Sequence, residues 1–258
     1  MKNTDFDYKR IAEGYRNRPF LHKQVIAKFQ EDIGERHFAL GLDIGCGAGL
    51  STKALKDICA KVMGSDISPE MIRVAREVCG SDEQITFIVS SAEEIVNPDE
   101  KADIVTAAGA IQWIDRARFL PRIRQAMKDG GYLLIYDFAI SDKMLGNQTY
   151  TDWWHNQYLK EFPRPFRDES IWKSEDVAPY GFRILKQIPL EMTYSFDLVS
   201  FIEFMMIQSN VNARVDADER NEEMVYEWFR KTLSPIFHGA NQSLLFKGYS
   251  WYLQKETG

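Results

Sequence analysis

Two hydrophobic periods alternate along the first half of the chain. Leu21, Val25 and Phe29 recur at i, i+4 and i+8 and predict one apolar helix face. A short apolar run from Phe38 to Ile44 then ends in Gly45-Cys46-Gly47-Ala48-Gly49, and a second helical pattern follows through Leu50, Ala54 and Ile58. Ala60 to Asp66 reads as a second strand closing on an acid. Ser68-Pro69-Glu70 opens the next helix, with Ser68 as N-cap and Pro69 at the first helical position. Met71, Val74 and Val78 carry its apolar face. Gln84 to Val89 and Asp103 to Ala108 predict two more strands. A helix through Leu120, Ile123 and Met127, broken by Gly130-Gly131, leads to a fifth strand at Tyr132 to Tyr136. Strands apolar on both faces and alternating with helices predict an α/β fold, a doubly wound parallel sheet covered on both sides.

Beyond about residue 138 the pattern changes. Residues 142–175 are rich in aromatics and proline, and Pro163 and Pro165 interrupt any long helix. Phe182 to Phe196 and Leu244 to Leu253 read as long strands. Between them lie two helical patterns, one with Phe201 and Met205, the other with Met224, Trp228 and Leu233. No internal repeat or flexible linker separates the halves, so one domain over residues 1–258 with inserted helices is expected.

Composition narrows the class. A chain of 258 residues can bury a sizeable core without disulfide or metal staples. With 45% hydrophobic and 27% charged residues it is too apolar and too mixed in charge for disorder. No apolar stretch approaches the roughly 18 residues that span a bilayer. Met1 to Phe6 lacks the charged and apolar regions of a signal peptide, so a cytoplasmic protein without a membrane anchor is expected. The 32 basic and 38 acidic side chains leave a net charge of −6, which argues against a nucleic-acid groove built on phosphate neutralisation. The acidic run from Asp216 to Glu223 reads as a solvated helix face or loop. Cys46, Cys59 and Cys79 follow no metal-ligand spacing and read as buried thiols in a reducing compartment. The four histidines are scattered, so no metal site is expected. Monomer and homodimer both remain open.

The chemistry centres on Asp43-Ile44-Gly45-Cys46-Gly47-Ala48-Gly49, where the first strand turns into a helix. In a doubly wound sheet that turn lies at the carboxyl edge, where ligands bind. Glycines let a ligand approach the backbone closely, and the helix start offers unpaired N–H groups. Asp66 follows Gly45 by 21 residues and ends the second strand, placed to accept both hydroxyls of a ribose. The pattern is G-x-G-x-G, and Leu50 stands where the dinucleotide fingerprint has its third glycine, which disfavours a nicotinamide cofactor. An ordinary tight turn and a turn-capping acid are the alternatives for the glycines and Asp66.

Residues from about 8 to 138 resemble the class I S-adenosylmethionine-dependent methyltransferases. Leu42 to Gly49 is similar to the family's glycine-rich first motif, and Gly64 to Met71 looks like its second-strand motif. Ser91-Ala92-Glu93-Glu94-Ile95 resembles the loop that receives the adenine edge, and Lys128-Asp129-Gly130-Gly131 resembles the turn before the fifth strand. The resemblance implies a Rossmann-like sheet of seven strands, mostly parallel with the last antiparallel, carrying helical lid insertions. It implies S-adenosyl-L-methionine as cofactor, released as S-adenosyl-L-homocysteine. Asp43, Gly45, Cys46, Gly47, Met71, Ser91, Ala92, Glu93 and Ala108 would then line the cofactor site, while Asp66 binds the ribose and Ile67 packs on adenine. Ala107 to Asp115 is similar to the segment after strand four in the small-molecule branch typified by trans-aconitate methyltransferase, which implies Gln112 and Trp113 on the floor of the acceptor pocket. Tyr15-Arg16-Asn17-Arg18-Pro19 looks like that branch's N-terminal segment, which puts Tyr15 and Arg18 near the methionine portion. The implied layout is a helical cap at 1–35, a cofactor-binding core at 36–140, and insertions at 141–180 and 197–240 over the active site.

Tyr150, Trp153, Trp154, Tyr158, Phe162, Phe166 and Trp172 put seven rings into 23 residues. They read as a lid over the methyl-acceptor pocket, with Trp153 and His155 as acceptor contacts, or as a core-packing flap with His155 a hydrogen-bonded packing residue. Gln112 and Trp113 have helix-start packing as their alternative, Arg18 a surface ion pair. Asp137 either touches substrate or caps the next segment. The expected function is methyl transfer to an O, N, S or C nucleophile of a small metabolite. Displacement at a sulfonium methyl needs alignment and desolvation above all, so no catalytic residue is assigned. The alternatives are a macromolecular acceptor (tRNA, or a carrier protein docked on Arg164 and Arg167) and a non-catalytic S-adenosylmethionine-binding protein.

Overall fold

The structure is a computed structural model that describes residues 9–95, 100–164, 171–216 and 221–257. The expectations resting on Met1 to Phe6, Pro165, Phe166, Arg167 and residues 217–220 lie outside the described residues. Strands β1 (Phe38–Ile44), β2 (Cys59–Asp66), β3 (Ile85–Val89), β4 (Ala102–Ala108), β5 (Met127–Met144), β6 (Phe182–Phe196) and β7 (Gln242–Lys255) form one sheet in the order β3-β2-β1-β4-β5-β7-β6. The first five pair in parallel, and β7 runs antiparallel to both β5 and β6. The α/β sheet expected from the alternation is therefore present, with the Rossmann-like layout and antiparallel last strand that the resemblance implies.

The helices are α1 (Lys9–Tyr15), α2 (His22–Ile33), α3 (Leu50–Leu55), α4 (Pro69–Cys79), α5 (Arg116–Ala126), α6 (Gln148–Trp153), α7 (Leu159–Glu161), α8 (Ser174–Val177), α9 (Leu198–Met206), α10 (Ser209–Asp216) and α11 (Glu222–Phe237). Among them no helix is long and apolar enough to cross a membrane. Local chemistry explains several starts and stops. Ser68 Oγ accepts from Met71 N ahead of Pro69, and Gly34 ends α2 in the left-handed region at φ 87°. The α2 face of Val25, Ile26 and Phe29 is buried against the sheet, with the Phe29 ring edge-on to Tyr132 and Tyr252.

Three boundaries differ from the pattern. α3 stops at Leu55, and Ile58 is buried in the turn before β2. α5 ends at Ala126, and Gly130-Gly131 falls inside β5, where the register with β4 slips between Ala102 and Ile104. A Cβ on Gly131 would stand 2.9 Å from the Lys128 carbonyl oxygen, so the glycine pair serves a bulged strand and not a helix stop. β5 runs on to Met144 because β7 pairs with it from Tyr132 onward, with one slip between Ile140 and Met144. α11 buries Val225, Phe229, Leu233 and Ile236, one position round from the expected face, and leaves Met224 exposed.

The aromatic segment is a layer of the core. α6, the π-helical turn Trp154–Tyr158 and α7 bury Tyr150, Trp153, Trp154, Tyr158 and Phe162 to 3% exposure or less. These rings pack on one another and on Phe201 of α9 and Phe229 of α11. Trp172 lies in a second cluster, against Trp251 of β7.

Candidate active site

The site at the carboxyl ends of β1, β2 and β4 is shaped by a carboxylate that lies beneath it. Asp43 is fully buried. Its Oδ2 accepts from Ser51 Oγ at 2.6 Å and Thr52 Oγ1 at 2.7 Å, and its Oδ1 from Thr106 Oγ1 at 2.7 Å. Burial pushes the carboxyl pKa up, and the three hydroxyls pull against it. Asp43 thus ties α3 and β4 to β1 under the glycine loop and does not line the cavity, contrary to its expected place among the cofactor contacts.

Above it the chain turns sharply. Gly45 has φ +66°, and a Cβ there would stand 2.6 Å from the Ala110 Cβ, so the position requires glycine. Gly47 N donates to Asp66 Oδ2 at 2.9 Å, and Ser68 N to Asp66 Oδ1 at 2.9 Å. The acid at the end of β2 therefore holds both the loop and the start of α4. Ile67, beside it, keeps 47% of its surface exposed and faces the same cavity. Burial, with Asp66 nearby, keeps the Cys46 thiol protonated well above its ordinary range.

The cavity measures about 220 Å³. Gly45, Cys46, Gly47, Asp66 and Ile67 meet Met71 of α4 there, with Ser91, Ala92 and Glu93 beyond β3 and Ala108, Gln112 and Trp113 at and beyond the end of β4. Glu93 Oε1 accepts from Asp115 N at 2.9 Å, and Gln112 Nε2 donates to the Gly109 carbonyl at 3.1 Å. Tyr15 and Arg18 close the cavity from the N-terminal side, the guanidinium 4.6 Å from the Tyr15 ring centroid. The Tyr15 ring comes within 3.8 Å of the point a Gly47 Cβ would occupy. Asp137 also lines the cavity, with its Oδ1 accepting from Phe138 N at 2.8 Å.

Trp153 and His155 do not join these residues. Trp153 is 1% exposed inside the aromatic layer, stacked on Tyr158, because a large ring gains more from burial there than at a wet rim. His155 projects outward from the same turn, its Nε2 2.9 Å from the Asp142 carboxylate. Insertion contacts come instead from Ile207, Gln208 and Ser209 at the α9–α10 junction. His22 is a further lining residue that the motifs do not reveal. Its Nδ1 lies 3.0 Å from Tyr136 Oη, and burial together with the Arg18 charge holds the imidazole down at about 3, so it is neutral at physiological pH. The available signal was its place four residues after Arg18. Among the described residues no cluster of three or more His, Cys, Asp or Glu could hold a metal ion.

The family model described as a methyltransferase domain matches residues 42–135, from β1 into β5. Over this span the chain is similar to methyltransferase domains. The chain is 30% identical over 153 residues to malonyl-[acyl-carrier protein] O-methyltransferase 1 of Ilyobacter polytropus, covering 58% of this chain and 54% of the relative. It is 30% identical over 143 residues to demethylmenaquinone methyltransferase of Tropheryma whipplei, covering 51% and 57%. The chain thus spans about half the length of the curated relatives it matches. A solved structure titled as a candidate type II methyltransferase from Anaeromyxobacter dehalogenans covers 91% of this chain and 95% of its own, with a TM-score of 0.66 at 19% identity. That likeness establishes the fold across the matched span and the segments beyond it.

Proposed function

We propose that this protein is an S-adenosylmethionine-dependent methyltransferase acting on a small molecule. The observation that carries this reading is the cavity at the carboxyl edge of the matched span, where the glycine loop, the Asp66 carboxylate and the uncovered Ile67 side chain converge. The bound cofactor supplies a methyl group already activated on a sulfonium. Asp66 binds the ribose hydroxyls, Ile67 packs on adenine, and Ser91, Ala92 and Glu93 border its edge. Tyr15 and Arg18, in a cap formed by the residues ahead of β1, close over the methionine portion and exclude water. Gln112 and Trp113 border the acceptor and hold it in line.

The enclosure supports a small acceptor. α1 closes against the second insertion, where Gly14 meets Ile207 and Arg10 Nη1 donates to Asn212 Oδ1 at 2.9 Å. The second reading is an acceptor delivered on a carrier protein, favoured by the relative from Ilyobacter polytropus. A pull-down with acyl carrier protein separates the two. Calorimetry with S-adenosylmethionine tests the cofactor itself. One-to-one binding is expected, weakened about 100-fold in Asp66→Ala by loss of the charge-assisted ribose bonds. No heat of binding to the wild type would sink the proposal.

A further inference from the structure

The cavity continues into a narrower chamber of about 40 Å³ whose walls it shares at Ala108, Gly109 and Asp137. The chamber floor is apolar, built from Phe138, Ile140, Phe204 and Phe246, and its polar wall is Arg18, His22, Tyr136, Asp137 and Gln208. Tyr136 is 1% exposed, and its Oη lies 3.0 Å from His22 Nδ1. The phenolic O–H has no other acceptor among the described residues, so it donates to Nδ1. The reverse arrangement would leave a buried hydroxyl hydrogen without an acceptor. A neutral imidazole that accepts at Nδ1 carries its proton on Nε2. That Nε2–H has no protein partner among the described residues, while His22 lines both the chamber and the main cavity. The imidazole is held between Tyr136 and Phe138, with ring centroids 5.7 and 5.1 Å away. Arg18 stands beside it on the ring of Tyr15, with no carboxylate partner among the described residues.

We propose that His22, locked by Tyr136 as an Nε2–H donor, is a specificity-determining residue that selects a ligand presenting an oxygen lone pair in the chamber over one presenting a protonated amine. Carboxylate, carbonyl and enolate oxygens satisfy it. The Arg18 charge strengthens that preference, and the Asp137 carboxylate, the other charged group on the chamber wall, is held by the backbone N–H of Phe138. The assignment of the oxygen to the methyl acceptor rests on the function proposed above. The other source of such an oxygen is the methionine carboxylate of the cofactor.

The test uses protein labelled with ¹⁵N-histidine, with the His22 signals assigned through His22→Gln. In the free wild type, long-range ¹⁵N–¹H spectra are expected to show Nδ1 unprotonated and Nε2 protonated between about pH 5 and 8. Tyr136→Phe should turn this into a mixture of tautomers. An Nδ1-protonated or doubly protonated ring in the wild type overturns the lock. With S-adenosylhomocysteine bound, benzoate serves as an oxygen-bearing probe and benzylamine as its cationic counterpart. Benzoate should shift the Nε2 resonance saturably and bind about tenfold more weakly to His22→Leu, while His22→Gln, which keeps a donor, retains most of the affinity. An equal response to benzylamine, or none to benzoate, overturns the selectivity. Loss of S-adenosylhomocysteine affinity in His22→Leu assigns the oxygen to the cofactor and overturns the acceptor role. Failure of S-adenosylhomocysteine to bind the wild type sinks the proposed function instead, and the tautomer in the free protein still decides the lock.

Discussion

At position 43 a carboxylate survives complete burial because three hydroxyls converge on it. Each hydroxyl belongs to a different structural commitment: Ser51 and Thr52 open α3, and Thr106 stands on β4. Removing the acceptor therefore harms more than one element, and the cost exceeds that of a single hydrogen bond. Asp43→Ala takes the shared acceptor from Ser51 and Thr52 and leaves Thr106 only the Leu42 carbonyl at 3.4 Å, and is expected to lower unfolding stability by about 3 kcal/mol, read from urea denaturation. Asp43→Asn keeps one acceptor oxygen, and hydroxyl rotation lets its amide donate, so a loss of about 1–2 kcal/mol is expected. Both variants should also weaken cofactor binding, because the loop that ends at Gly49 is anchored from below by this residue. Stability unchanged in Asp43→Ala would show that the hydroxyls find other partners.

Among elements, the two tryptophans that sequence reasoning assigned to one pocket serve different purposes. Trp153 on α6 is stacked on Tyr158 and contacts Trp228 and Phe229 of α11, with its Nε1 buried and without a hydrogen-bond partner among the described residues. Trp153→Ala should cost about 3–5 kcal/mol, and Trp153→Phe under about 1.5 kcal/mol, since the phenyl ring fills most of the space without a buried N–H. Trp113 lines the cavity, so Trp113→Phe should abolish the tryptophan fluorescence change on adding S-adenosylhomocysteine, and Trp153→Phe should leave it intact. The reverse pattern would return Trp153 to the pocket. The contrast also shows what a single sequence reveals. β6 was legible from Phe182 to Phe196 because its length and its flanking turns leave one interpretation. Gly45, Asp66 and Ile67 were legible because one turn and one strand end place them together. Gly130-Gly131 misled because glycine pairs punctuate helix ends and bulged strands alike. The density of rings in residues 150–162 announces burial but not against what. His22 and Gln208 stayed hidden because only long-range packing brings α2 and the α9–α10 junction to the same edge of the sheet.

Across the whole molecule, Asp32 joins segments near the two ends of the chain. At the end of α2 it pairs with Lys28 at 3.0 Å, with Lys186 of β6 at 2.8 Å, and accepts from Tyr252 Oη of β7 at 3.0 Å. Its side chain is only 12% exposed. The hydrogen bond from Lys186, aided by those from Lys28 and Tyr252, holds the carboxyl at about 2 against burial, below its ordinary value of 3.8. A carboxyl depressed by folding stabilises the native state above its unfolded pKa, and the contribution fades as pH falls through the folded value. The shift corresponds to about 1–2 kcal/mol once screening is allowed for, present at neutral pH and lost between about pH 4 and pH 2. Because α2 begins at His22 and follows Arg18, this anchor also fixes the N-terminal wall of the cavity. Asp32→Asn should therefore be less stable than the wild type by about 1–2 kcal/mol near pH 7, and urea titrations of the two should converge near pH 2. A gap of undiminished size at the acidic end would mean that Asp32 acts through packing, and that charge does not hold α2 to the sheet.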